Sequence, residues 1–275
     1  MWLDGRLVAA SEARIDPADR GLLLGDGLFE TMRAKGGVVP LLGRHLQRLR
    51  QGAGLLGIPL PLSAEEVGEA VLAALRGNGL GDAAVRLTLT RGAGPRGLLA
   101  APDRPPTLLI AVFPLPPPQP PARVIVARVT RRNEHSPLSR IKTLGYLDSV
   151  LALREARARG ADDALLLNTG GRIACATAAN LFVLQMNVLA TPPPEEGALP
   201  GISRALVLEL APTLGLEAAE EPLLLAELAA ADEVFTSSAL QGLRPVVAVD
   251  GRPVGTGEPG PRTAALQAAW AAAQD

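Results

Sequence analysis

Cysteine is nearly absent: Cys175 is the only one in 275 residues. A single thiol cannot close an internal disulfide, so no oxidising compartment is implied. Lysine is almost as rare, since of 27 basic side chains only Lys35 and Lys142 are lysines. Aromatic residues make up 3% of the chain, and Tyr146 is its one tyrosine. The two histidines, His45 and His135, have no metal-binding spacing, so no metal is expected. His45 reads as a helix-surface residue and His135 as a loop residue. No run of 18 apolar residues occurs, which excludes a membrane-spanning helix. The opening MWLDGRLVAASEARID carries acids and lacks the apolar centre of a signal peptide, so a cytoplasmic location is expected. A net charge of −1 offers no electrostatic footprint for nucleic acid or a membrane surface.

The scarcity of lysine is informative. Arginine replaces lysine as a surface cation, but its guanidinium stays protonated and cannot act as an amine nucleophile. A retained lysine is therefore a candidate for chemistry that arginine cannot perform. Lys35 lies in the turn AKGG, where solvation explains it. Lys142, in SRIKTLGYL, is the candidate amine.

With 48% hydrophobic residues the chain can bury a large core. Six of the nine residues in FPLPPPQPP, Phe113 to Pro121, are proline and read as a stiff extended linker. The expected division is a small N-terminal α+β domain over 1–113, a linker over 114–121, and a larger C-terminal domain over 122–275. In the first part WLDGRLV suggests a hairpin. Leu42, Leu46, Leu49 and Ala53 fall on one face of a helix, and Ser63 with Glu66 forms the capping box of a second. AVRLTLT and TLLIAVF read as strands. The second part offers the strand RVIVARV and a helix in GYLDSVLALREARARG that ends at Gly160. The short strands DALLLN, RIACAT and LFVLQ then meander, followed by a helix after Pro200 and further strands in DEVFTSSAL and RPVVAVDGRPV. The mixture predicts an α+β, barrel-like domain.

Several segments suit an anionic ligand. Gly201, Ile202 and Ser203 open a helix, whose free N–H groups and dipole favour a phosphate, although Ser203 could equally be a plain cap. FTSSALQG supplies a second cluster of small hydroxyl residues after a strand. TRGAGPRG holds Arg91 and Arg96 in a glycine-rich turn that could grip a carboxylate. An imine-forming amine, an anion cradle and a carboxylate clamp together make a kit for pyridoxal 5'-phosphate.

The chain resembles the class IV aminotransferases, the fold-type IV pyridoxal-phosphate enzymes. That family includes branched-chain aminotransferases, D-amino acid aminotransferases and aminodeoxychorismate lyases. The resemblance runs in order through DRGLLLGDGLFETMR, HLQRL, IKTLGYLDSVLALREARARGADDALLLN, ATAANLFVL, ATP, LPGISR, ADEVF and PVVAVDG. It implies a two-domain fold of the D-amino acid aminotransferase type and a homodimer with the site at its interface. Lys142 matches the Schiff-base lysine and general acid–base. Arg48 of HLQRL matches the arginine that binds the cofactor phosphate, and Ile202 and Ser203 match its backbone and hydroxyl contacts. Ser238 and Ala239 occupy the second phosphate loop, where transaminases often carry threonine in place of Ala239. Tyr146 falls near an aromatic that touches the cofactor's phenolic oxygen.

Cys175 departs from the pattern. The family carries a glutamate five residues before the asparagine that is Asn180 here, and that glutamate pairs with the pyridine nitrogen. Strand alternation puts Ile173 and Thr177 on the face of Cys175. A buried neutral thiol would leave the ring nitrogen less protonated and the carbanion less stabilised. That weakens the case for transamination more than the case for elimination. With the arginine–glycine loop and SSAL, it narrowly favours lysis of aminodeoxychorismate to 4-aminobenzoate and pyruvate, with Arg96 or Arg91 holding a carboxylate. The alternatives are a transaminase of branched-chain or D-amino acids, and a cofactor-binding protein with little turnover.

Overall fold

The computed structural model describes residues 1–101 and 104–274 of this α+β chain. They form two compact units, Met1–Pro116 with Ile141–Gly145, and Pro117–Arg140 with Tyr146–Asp275. The second unit begins inside the proline-rich stretch, and the short segment that carries Lys142 packs with the first unit.

The N-terminal unit contains β1 (Trp2–Leu3), β2 (Arg6–Leu7), α1 (Arg20–Leu24), β3 (Gly27–Ala34), α2 (Leu42–Leu56), α3 (Ala64–Asn78), β4 (Ala83–Thr90) and β5 (Thr107–Pro114). Its sheet is antiparallel in the order β2-β1-β5-β4-β3. Residues 141–145 continue it beyond β3. Leu28 bridges to Thr143, the Phe29 N–H donates to the Lys142 carbonyl at 2.9 Å, and the Leu144 N–H donates to the Gly27 carbonyl at 3.1 Å. Alternation sends Leu28, Met32, Val85, Leu87 and Leu89 to one face, where Leu46, Leu49 and Ala53 of α2 and Val67, Val71 and Leu75 of α3 complete the core. Each such leucine or valine contributes about 1.5–3 kcal/mol when fully buried. The helical stripe expected in α2 is the buried one, with Leu42 partly buried at its edge. The Ser63–Glu66 capping box opens α3.

The C-terminal unit contains β6 (Ala122–Val126), α4 (Leu147–Ala158), β7 (Asp163–Leu167), β8 (Ile173–Ala176), β9 (Asn180–Gln185), β10 (Val188–Thr191), α5 (Ile202–Leu210), β11 (Glu217–Glu220), α6 (Leu225–Ala230), β12 (Glu233–Ser238), β13 (Gly242–Val249), β14 (Arg252–Pro253) and α7 (Pro261–Ala272). Its sheet runs β11-β10-β9-β12-β13-β6-β7-β8, with β14 on β13. The β10–β11, β13–β6 and β6–β7 pairs are parallel and the rest antiparallel. One apolar cluster gathers Val124, Leu165, Ile173, Leu181, Val183 and Val234. Another gathers Ile125, Ala127, Ala164 and Leu166 with Ala152 and Ala156 of α4, whose small side chains fit this cluster.

A bulge between β7 and β8 corrects one expectation. Leu166 pairs with Cys175 but Leu167 pairs with Ile173, so Ala174 is an extra residue in β8. The extra residue breaks the alternation. Ile173 packs in the first cluster and Cys175 against the second, so the two do not share a face.

Candidate active site

The N-terminal unit carries one group of chemistry-bearing side chains. Lys142 is held by its main chain on the edge of β3, and its Nζ lies 4.4 Å from the centre of the Phe29 ring. The Arg86 guanidinium lies 3.8 Å from the same ring centre. Burial lowers the proton affinity of the Lys142 amine. Arg48 and Arg86 lower it further, Glu30 opposes them, and the net result is a pKa of about 8 in place of 10.5. At pH 7 about one amine in ten is then neutral, against about one in three thousand for an ordinary lysine.

Glu30 is fully buried and accepts from Arg48 Nε at 2.8 Å and Arg48 Nη2 at 2.6 Å, with His45 Nδ1 at 2.7 Å. Burial alone would raise its pKa, but the His45 and Arg48 hydrogen bonds prevail and lower it. His45 is therefore a buried partner of a carboxylate, which corrects its reading as a helix-surface residue. It sits on the flank of the α2 stripe, one turn before Arg48. His135 is an exposed loop residue beside a polar cavity of about 690 Å³ that Glu134, Arg140 and Arg172 also line.

The two arginines of the glycine-rich turn differ in their surroundings. Arg91 is engaged at all three nitrogens: Nε with Asp26 at 2.7 Å, Nη1 with the Gly57 carbonyl at 2.9 Å and Nη2 with the Leu56 carbonyl at 2.6 Å. Arg96 is exposed. The turn is pinned from beyond it by Arg20, which donates to the carbonyls of Gly97 and Leu98 at 2.8 and 2.7 Å.

In the C-terminal unit three segments converge on Asn180. Ser237 at the end of β12 pairs in register with Asn180 at the start of β9. The Asn180 side chain donates to the Leu199 carbonyl at 2.8 Å, pinning the approach to α5. Gly201, the N-cap of α5, lies so close to the Asn180 side-chain oxygen that no Cβ would fit. No side chain caps this helix, although Ser203 is buried in its first turn beside the half-buried Ile202. The Ser237 hydroxyl is buried without a hydrogen-bond partner. Ser238 accepts the Gln241 N–H at 3.3 Å, and Ala239 lies in the turn that follows. An uncapped helix terminus and an orphaned hydroxyl are unsatisfied donors, which fits a phosphate.

Tyr146 stands at the N-cap of α4 and makes no capping bond with its side chain. Cys175 packs partly against the alanine-rich cluster. Burial pushes its thiol up to about 11, helped by the charge of Asp163 and opposed by Arg132. It is neutral at physiological pH.

Glu30, Arg86 and Ser237 were not singled out from the sequence. The signal for Glu30 is an acid between Leu28 and Met32 on the apolar face of a strand. Ser237 lies in the hydroxyl cluster FTSSALQG without having been picked out from it, and nothing comparable marks Arg86. Among the described residues, no group of His, Cys, Asp or Glu could hold a metal, and no helix is long and apolar enough to cross a membrane.

The sequence pattern of the class IV amino-transferases matches residues 27–249. A Methanocaldococcus jannaschii protein that carries a provisional branched-chain-amino-acid aminotransferase name is 39% identical over 97% of this chain and 93% of its own. The crystal structure of the Escherichia coli branched-chain amino acid aminotransferase superposes with a TM-score of 0.92, at 31% identity over 97% of this chain and 91% of that one. A Legionella pneumophila structure provisionally named 4-amino-4-deoxychorismate lyase superposes with a TM-score of 0.89, at 31% identity over 96% and 97% of the two chains. The chain belongs to the class IV aminotransferase family and has its fold-type IV architecture. Its cofactor is pyridoxal 5'-phosphate.

Proposed function

We propose that the protein is a transaminase of branched-chain amino acids in which Lys142 is the imine-forming amine. The observation that carries this reading is the half-buried Lys142 amine, which shares the Phe29 ring with the Arg86 guanidinium and whose pKa is lowered to about 8. When bound, the cofactor supplies an aldehyde for this amine and a conjugated ring that takes up the electrons left when a substrate carbon loses its proton. An amine of pKa about 8 exchanges that proton in both directions near neutral pH. The N–H groups at the start of α5, the Ser203 and Ser237 hydroxyls and the Ser238–Ala239 turn are donors suited to the phosphate. Within the N-terminal unit, Arg48 is a separate candidate for an anion, with a guanidinium whose orientation Glu30 fixes. Arg86, whose guanidinium shares the Phe29 ring with the amine, is one carboxylate-binding candidate, and Arg96 is the exposed candidate on its pinned turn.

Branched-chain names among full-length relatives support the choice of substrate. A second reading, lysis of aminodeoxychorismate, rests on the neutral Cys175 and on the likeness to the Legionella structure. A homodimer belongs to the same proposal, and the exposed Leu22, Leu23, Leu24, Leu98 and Leu99 are apolar surface that a partner would cover. The test is spectroscopic. The cofactor-loaded protein is mixed with L-leucine, L-valine or D-alanine, and conversion of the cofactor to its amine form is followed. Conversion with L-leucine or L-valine supports the transaminase. Conversion only with D-alanine reassigns the stereochemistry. No conversion, with 4-aminobenzoate formed from aminodeoxychorismate, replaces the reading with the lyase. Neither product would leave a cofactor-binding protein with little turnover.

A further inference from the structure

A carboxylate at position 30 is an expensive choice. Its β3 neighbours on the same face, Leu28 and Met32, are fully buried core residues. Burying an ion among them is costly unless its partners are well placed, and an apolar side chain of similar size would fill the position without that cost. Glu30 nevertheless sits there with 0% exposure and three N–H partners from α2. Arg48 is gripped through Nε and Nη2, the two-point geometry that fixes the plane of a guanidinium as well as its position. His45, one turn earlier on the same helix, holds the remaining side of the carboxylate. The next residue in β3, Phe29, touches Lys142 twice, by its N–H to the Lys142 carbonyl and by its ring below the amine. The carboxylate is therefore one residue away from the strand position that carries the amine.

We propose that Glu30 is a positioning residue for this active site: it fixes the Arg48 guanidinium and sets the charge balance around the Lys142 amine. The inference rests on reading Lys142 as the imine-forming amine. The charged groups that act on that amine come from three elements: Glu30 on β3, Arg48 on α2 and Arg86 on β4, with His45 of α2 bonded to the Glu30 carboxylate. Two guanidiniums favour the neutral amine and one carboxylate favours the ammonium. Removing the carboxylate charge lets the guanidiniums prevail, so the amine titrates at lower pH. Removing the Arg48 charge leaves Glu30 opposed by Arg86 alone, so the amine titrates at higher pH.

The chain has only two lysines, which makes a direct measurement practical. The full chain, freed of cofactor, is labelled with acetic anhydride across a pH series, and peptide mass spectrometry follows the two lysines. Lys35 is exposed and serves as the internal reference. Native Lys142 should titrate near about 8. Glu30→Gln should move that midpoint down, Glu30→Asp should keep it near the native value, and Arg48→Met should move it up, with Lys35 constant in all four proteins. A loss of packing alone lowers the melting temperature but does not move the two midpoints in opposite directions. If Glu30→Gln does not fold, Glu30→Leu, which fills the apolar face without the charge, takes its place and should also move the midpoint down. Midpoints at the native value in the Gln and Met variants overturn the proposal, as does an unmoved Met variant alone. Adding cofactor to the native chain should protect Lys142 from the label. Absence of protection would remove Lys142 from its assigned role, whereas protection with unmoved midpoints would overturn the role of Glu30 alone.

Discussion

Replacing Cys175 by glutamate asks whether this position controls the reaction or only fills the core. With the thiol held at about 11, four units above pH 7, about one molecule in ten thousand carries a thiolate. The native side chain is thus a neutral group on β8. A glutamate there meets Ile125, Ala127, Ala164 and Leu166 on one side and the charge of Asp163 nearby, with Arg132 as the one favourable cation. Extra volume in this cluster costs about 1–3 kcal/mol. For a chain of this size that lowers the melting temperature of the cofactor-free protein by roughly 2–4 °C per kcal/mol. If position 175 faces the cofactor's ring nitrogen, the loaded protein recovers about 1.5–3 kcal/mol through a charge-assisted hydrogen bond, a lever of roughly 10- to 150-fold on ring protonation. The expected pattern is a Cys175→Glu protein destabilised without cofactor, restored with it, and faster in single-turnover conversion of the cofactor to its amine form. Cys175→Ser should match the native protein throughout. Thermal melts with and without cofactor, together with stopped-flow spectra of the three proteins, measure all of this. A glutamate variant equally destabilised in both states, with no gain in conversion, would refute the reasoning and leave Cys175 as core packing.

Three further outcomes are expected. Lys142→Arg should lose the reducible imine and turnover as completely as Lys142→Ala, because a guanidinium keeps the charge but not the nucleophile; borohydride trapping with mass spectrometry reads this, and a trapped imine at native yield in the arginine variant would disprove the assignment. Ser237→Ala removes a buried hydroxyl that has no partner, so the cofactor-free protein should gain up to about 1 kcal/mol while cofactor retention in equilibrium dialysis falls; unchanged retention would take Ser237 out of the cradle. Glu134 accepts from the N–H groups of Thr169 and Gly170 and from the Thr169 hydroxyl, and although burial works the other way these bonds lower its carboxyl from 4.5 to about 2. Its contribution to stability is therefore fully present above pH 4.5 and lost as pH falls toward about 2. Acid melts of Glu134→Gln should show a shallower loss over that window than the native protein, and identical slopes would exclude the contribution.

The sequence by itself determined the local elements whose signals are local. The apolar stripe of α2 and the Ser63–Glu66 box of α3 are helical patterns that need no partner to be read. It also isolated Lys142, because scarcity among basic residues is a chemical signal independent of fold. Tertiary structure alone decided which residues meet. Lys142 joins the first unit because main-chain bonds to β3 hold its segment there, and a contact between residues 29 and 142 leaves no trace in local periodicity. His45 is buried because β3 sets Glu30 opposite α2, a pairing that depends on strand register. The face taken by Cys175 follows from one extra residue in β8, and a bulge is defined only against the partner strand it fails to match. Arg91 and Arg96 look alike in sequence. Asp26, Leu56 and Gly57 occupy the first and leave the second exposed, because a guanidinium's role is fixed by the acceptors that the fold brings within reach.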